Sequence, residues 1–230
     1  MAAATDHRPV QKTTPFTDRG ARHKKSKKKK VSIPDNWADV PKMGSRVASS
    51  RFVALRVPLD DKYTHLTPSR ERWTPAIFVQ DQASMGYNIR LVIDLTNTSK
   101  YYEGETEFAE SPIEYAKLRI EGFKSAPRLH DVEQFAAIVD DFVSRVPDGN
   151  IAVHCTHGLN RTGFLIVSYL VERCDFTLQE ALQAFSDARP PGLIKHMYIE
   201  ELYRRFAPGE TPMLPELPGW AAAKYGARAH

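Results

Sequence analysis

Cys155, Arg161 and Thr162 stand close together in "HCTHGLNRTGF" (His154 to Phe164), with Gly158 and Gly163 among them. A cysteine attacks as its thiolate, and an ordinary thiol, with a pKa near ~8.5, is mostly protonated at neutral pH. A nearby arginine and a helix N-terminus both lower that pKa, which makes Cys155 a candidate nucleophile. Arg161 carries a planar fork of donors that can grip two oxygens of one phosphate. Its charge also complements the equatorial oxygens of a phosphoryl group in transfer. Thr162 is placed to hydrogen-bond the sulfur while a phosphocysteine is hydrolysed, and His154 is read as orienting the loop rather than titrating. Between them, successive backbone N–H groups of Thr156, His157, Gly158, Leu159, Asn160 and Arg161 can form an anion nest. The chemistry implied is phosphoryl transfer to sulfur followed by hydrolysis.

Such a loop needs a strand to enter it and a helix to leave it. Ile151 to Val153, after the turn-like "PDGN", reads as a buried parallel strand. From Thr162, "TGFLIVSYLVERC" is long and apolar enough for a core-facing helix. The loop therefore falls at a strand-to-helix edge, the usual ligand crevice of an open α/β sheet. Further strands are predicted over Arg51–Val57, Ile89–Leu95 and Glu114–Ile120. Helices are predicted over His130–Val146, whose apolar stripe includes Val132, Phe135, Val139 and Phe142, and over Thr177–Phe185, with Thr177 and Glu180 at capping-box spacing. Met197–Phe206 makes a last helix. The alternation predicts an α/β fold, a central mostly parallel sheet flanked by helices, over residues 31–208. The proline-bearing stretch 209–230 is expected to be irregular.

The chain has 230 residues, 42% of them apolar and 10% aromatic, ample for one core. It has no apolar run long enough to span a membrane, and its first residues lack the hydrophobic segment of a signal peptide. Two cysteines do not make a disulfide framework. Cys174 reads as a packed thiol, with redox pairing to Cys155 as the alternative. Residues 1–30 hold 10 Lys or Arg against 2 Asp; taking that +8 from the overall +4 leaves −4 for residues 31–230. The basicity belongs to the leader, whose run "RHKKSKKKK" is too charged to bury and is expected to be disordered. A nuclear-import signal, auxiliary RNA contacts and a solvated leader all fit it.

The pattern HC-x-x-G-x-x-R-T-G resembles the phosphate loop of cysteine-dependent phosphatases. In detail it is similar to that of the cysteine-dependent RNA 5′-triphosphatases, the amino-terminal half of animal-type mRNA-capping enzymes and their stand-alone relatives. "IPDNW" (Ile33 to Trp37), "LVIDLTNTSKYY" (Leu91 to Tyr102) and "ARPPGLIK" (Ala188 to Lys195) extend the likeness over most of residues 31–206. The resemblance implies the protein-tyrosine-phosphatase-like fold, RNA 5′-triphosphate ends as substrate, and a guanylyltransferase or the transcription machinery as partners. It also implies a monomer, a nuclear location, and no cofactor or metal. No "K-x-D-G" nucleotidyltransferase motif is present, so guanylate attachment falls to another chain or another segment.

Two features bear on the substrate. Tyrosine and dual-specificity phosphatases carry an Asp ahead of the cysteine that protonates the leaving oxygen, whereas Gly122 to His130 contains no acid. A tyrosine leaving group, with a pKa near ~10, depends on that proton more than a diphosphate does. The resemblance puts Asp94 near the site, either as proton donor or loop orienter, or as a structural cap of backbone N–H groups. Arg189 and Lys195 are candidates to reach the outer phosphates, against the reading of solvated loop cations. A dual-specificity protein phosphatase, a phosphoinositide phosphatase and a non-catalytic binding module stay open. So does hydrolysis through to the 5′-monophosphate.

Overall fold

The computed structural model describes residues 31–122 and 124–225. The expected basic leader lies outside these residues. Five strands, β1 (Met43–Arg46), β2 (Phe52–Leu55), β3 (Ile89–Asp94), β4 (Glu114–Lys117) and β5 (Asn150–His154), form one sheet in the order β1-β2-β5-β3-β4. Only β1 runs antiparallel to its neighbour; β2, β5, β3 and β4 are mutually parallel. The predicted mostly parallel sheet is therefore present, with β5 at its centre.

Period-2 alternation sends successive side chains of each strand to opposite faces. Phe52, Ala54, Leu91, Ile93, Ile151 and Val153 face α3 (Leu129–Arg145), α4 (Asn160–Arg173), α5 (Leu178–Ala188) and α6 (His196–Phe206). Val53, Leu55, Val92 and Ala152 face the other way, against Trp37, Trp73, Phe108 and Phe78 of α1 (Pro75–Ser84). Burial on both faces explains why these strands read as continuous apolar runs. Two helix starts show their local cause. Thr74 Oγ1 accepts from Ile77 N at 3.2 Å with Pro75 in the first turn of α1. Thr177 and Glu180 form the predicted capping box of α5.

Several boundaries differ from the sequence expectation. The chain beyond Lys117 stays extended, with Leu118 N donating to Asp94 O at 3.0 Å, but leaves the regular ladder. β1, α1 and a single turn at Gly104–Glu107 (α2) were not foreseen. α4 begins at Asn160, two residues before the expected start, so Arg161 lies in its first turn. The tail expected to be irregular contains α7 (Gly219–Tyr225), where Pro218 O accepts from Ala221 N at 2.7 Å. Its alanines favour helix, and Ala221 is buried against Val40, Leu159 and Ile194. Cys174 caps the far end of α4, roughly 20 Å along the axis from the loop at 1.5 Å per residue. Both cysteines are free, and pairing at that separation is geometrically excluded.

Among the described residues, no helix is long and apolar enough to cross a membrane.

Candidate active site

The segments following β3 and β5 meet at one edge of the sheet, Leu95 N donating to His154 O at 2.8 Å. There an open cavity of about 690 Å³ is lined by Cys155, Thr156, His157, Asn160 and Arg161 of the loop. Its walls come from 32–35, from Thr96 to Thr98 with Lys100 and Tyr101, from Glu121, Gly122 and Lys124, and from Lys195 and Tyr198. The loop turns at Gly158, φ +68°, where a Cβ would collide with the Leu55 carbonyl. The carbonyls of Leu95 and Ile120 hold Arg161, at 3.1 and 2.8 Å from Nη1, and Nη2 donates to Thr156 Oγ1 at 3.2 Å. Gly122 lies flush against this guanidinium: a Cβ there would sit 2.8 Å from Nε.

Burial would raise the pKa of Cys155, but the Arg161 charge, the Thr162 hydroxyl and the Thr162 and His157 amides outweigh it and bring the thiol to about 7. Thr162 Oγ1 is buried with no hydrogen-bonding partner other than this sulfur. Burial lowers the pKa of His154 and keeps it neutral. Its Nε2 pairs with Tyr102 Oη at 2.6 Å and its Nδ1 with Cys155 O at 3.2 Å, a fixed post beneath the loop. The expectation that His154 orients rather than titrates agrees with this geometry.

The other candidates divide between those at the cavity and those away from it. Leu159 does not line the cavity, and its side chain lies in the apolar cluster with Val40 and Ala221. Asn160 lines the cavity, but its Oδ1 is occupied by the amides of Ile194 and Lys195 at 3.0 and 2.8 Å. Lys195 does reach the cavity, its Nζ donating to Gly122 O at 2.7 Å. Arg189 does not: it is fully buried and bonds loop carbonyls from outside the cavity, so its assignment to substrate binding is corrected. The cause is the turn after α5, which aims the side chain inward beneath Gly158.

Asp94 is also corrected as a catalytic candidate. It is 1% exposed and does not line the cavity. Its oxygens accept from Thr96 N at 2.7 Å, Tyr115 Oη at 2.9 Å and Lys117 Nζ at 2.6 Å. Burial would raise its pKa, but the charge of His154 where that ring is protonated, the Lys117 ammonium and the Thr96 amide outweigh it and hold it below the usual carboxylate value. An acid kept ionised is a poor proton donor, and the structural reading stands. With the folded pKa depressed, its stabilisation is complete above the unfolded value of ~3.9 and is lost as pH falls through the folded value. Asp94→Asn should cost about 3 kcal/mol at pH 7 by stranding Lys117, and the gap from wild type should narrow in acid. Urea unfolding of both proteins at pH 7 and pH 3 measures it.

The sequence reading missed part of the site. Lys100 stood within the "LVIDLTNTSKYY" motif, so its signal was available. Asp35 stood likewise within "IPDNW", whereas Lys124 and Glu121 carried none; Asp35 and Glu121 put carboxylates at a cavity although Gly122 to His130 holds no acid.

A thiolate held by an N–H nest, an arginine clamp and a hydroxyl under the sulfur, at the carboxyl edge of a parallel sheet, define a cysteine-dependent phosphatase. Residues 76–206 match the family described as "Dual specificity phosphatase, catalytic domain", and the chain belongs to that family. It is 37% identical over 191 residues to the mRNA-capping enzyme of Danio rerio, covering 83% of this chain but 32% of that protein. It is 34% identical over 187 residues to the RNA/RNP complex-1-interacting phosphatase of Rattus norvegicus (80% and 56% covered). It is 31% identical over 171 residues to the tyrosine-protein phosphatase of Autographa californica nuclear polyhedrosis virus (74% and 98% covered). The chain thus spans about a third of the capping enzyme, 32% of its length. In fold it is similar to the crystal structure of Tk-PTP in the active form, with a TM-score of 0.52 at 17% identity, covering 73% of this chain and 97% of that one.

Proposed function

We propose that this chain is an RNA 5′-triphosphatase that removes the γ-phosphate through a phosphocysteine and leaves a 5′-diphosphate end. The observation that carries the reading is the cavity itself: beyond the single-phosphate cradle, its walls add Lys100, Lys124 and Lys195. That spread of cations suits a chain of phosphates better than one phosphate on a peptide. The likeness to mRNA-capping enzymes supports the same substrate.

In the first step the Cys155 thiolate attacks the γ-phosphorus. The S–P bond forms, the P–O bond to the β-phosphate breaks, and the diphosphate end departs with the bonding electrons. Arg161 and the loop N–H groups hold the equatorial oxygens throughout. Water then attacks the phosphocysteine, inorganic phosphate leaves, and Thr162 stabilises the returning thiolate. A diphosphate departs as a stable anion, so the step makes little demand on a proton donor. In this reading the product feeds a guanylyltransferase, and the site of action is the nucleus.

The carboxylates of Glu121 and Asp35 at the cavity favour a second reading, a dual-specificity protein phosphatase in which one of them protonates a tyrosine leaving group. Turnover of γ- and β-labelled triphosphate RNA, aryl phosphates of graded phenol pKa and phosphotyrosine peptides distinguishes the two. Triphosphate RNA should exceed the peptides in kcat/KM by orders of magnitude, and release of labelled phosphate should stop at the diphosphate. The dependence on leaving-group pKa should be as steep in Glu121→Gln as in wild type. Peptides turned over as fast as RNA, with a slope that steepens in Glu121→Gln, would establish the protein phosphatase instead.

A further inference from the structure

A phosphate-binding loop that turns its N–H groups toward the anion must turn carbonyls the other way, and buried carbonyls need donors. At His157 and Gly158 the donor is Arg189, with Nη2 at 2.9 Å from His157 O and Nε at 3.4 Å from Gly158 O. The guanidinium is 0% exposed, and its Nη1 is buried with no hydrogen-bond partner. Among the described residues no carboxylate pairs with it. The packing is built around it. A Cβ on Gly158 would stand 3.3 Å from Arg189 Nη2, and one on Gly44 of β1 would stand 3.1 Å from its Cδ. A buried cation lacking a counter-ion costs several kcal/mol unless an anion compensates it. Two charges act on it from within the fold, the ionised sulfur of Cys155, which favours the cation, and the guanidinium of Arg56, which opposes it.

We propose that Arg189 is a positioning residue that holds the phosphate loop with its N–H groups inward and, from outside the cavity, favours the thiolate form of Cys155. Arg161 grips the substrate side, and Arg189 sets the loop and its charge from the other. The inference concerns the thiol with no substrate bound, so it does not depend on which phosphate compound is hydrolysed. Burial lowers the pKa of Arg189 to about 10, which leaves it charged at neutral pH. The other groups acting on the sulfur are Arg161 of α4, the hydroxyl and amide of Thr162, the amide of His157 and, beyond β3, Tyr101, while the His154 ring bonds the Cys155 carbonyl and the Arg56 charge faces Arg189 itself.

The test is the pH dependence of Cys155 alkylation by iodoacetamide, with modification counted at that residue by peptide mass. Arg189→Gln keeps donors for the two carbonyls but removes the charge, whereas Arg189→Lys keeps the charge but loses the fork. In Arg189→Gln the alkylation midpoint should rise by about one unit, slowing the reaction at pH 6 roughly tenfold. In Arg189→Lys the midpoint should stay near the wild-type value while kcat falls, because one ammonium cannot reproduce the two-carbonyl contact. A wild-type midpoint in folded Arg189→Gln overturns the electrostatic role. Wild-type kcat in Arg189→Lys overturns the positioning role. Should Arg189→Gln not accumulate as folded protein, Arg189→Lys carries both parts: a midpoint raised by a unit with the charge retained also overturns the proposal.

Discussion

Cys155→Ser should reduce phosphate release by on the order of 10⁴-fold or more, the scale of removing a nucleophile whose partners act as a unit with it. The hydroxyl is isosteric enough to sit beneath the same nest, but it ionises far above the pKa of about 7 that holds for the thiol. The neighbouring imidazole cannot take its proton: His154 is buried, neutral and engaged at both ring nitrogens. Arg161, Gly158 and the N–H groups remain, so the variant should still bind triphosphate RNA and inorganic phosphate. Acid-quenched wild-type enzyme should carry label from γ-labelled RNA on sulfur, and the variant should carry none. Below saturation, wild-type turnover should rise with pH through about 7 as the thiolate forms. Activity retained in Cys155→Ser, or label on another residue, would displace Cys155 from the reaction.

What the sequence discloses and what it hides divide along the range of the interactions. The loop was legible because its chemistry is local: Cys155, Gly158, Arg161 and Thr162 occupy one strand-to-helix turn, and their spacing alone brings them to one phosphate. The strands were legible because burial on both faces leaves Val92, Ile93, Ile151 and Val153 as unbroken apolar runs. Arg189 was misread, and Asp94 left open between two roles, for the opposite reason. Each is a charged residue in a stretch similar to known phosphatases, and charge near a site suggests contact with substrate. Their burial depends on pairings across the sheet, Asp94 with Lys117 of β4 and Arg189 with a loop 31 residues away. No periodicity records such pairings. α7 escaped because prolines dominate 209–218 and its helix is fixed by packing of Ala221 on Leu159 rather than by length.

Arg161→Lys should lower kcat by ~10²–10³-fold, the loss expected when one transition-state donor group is removed. Three contacts define the guanidinium: Leu95 O, Ile120 O and Thr156 Oγ1, all within 3.2 Å. They draw on both Nη atoms and fix the plane of the fork, which an ammonium on a flexible stem cannot reproduce. Lysine keeps the positive charge, so the Cys155 thiolate should persist and the midpoint of its alkylation should move little. The loss should therefore fall on kcat more than on KM, since Lys100, Lys124 and Lys195 still meet the outer phosphates. Arg161→Ala removes charge and fork together, so it should raise the alkylation midpoint as well as abolish turnover. Thermal unfolding of both variants checks that the walls at Leu95 and Ile120 stay in place without their donor. If Arg161→Lys turned over RNA at nearly the wild-type rate, charge alone would suffice. The clamp that orients the fork would then have no part in the chemistry.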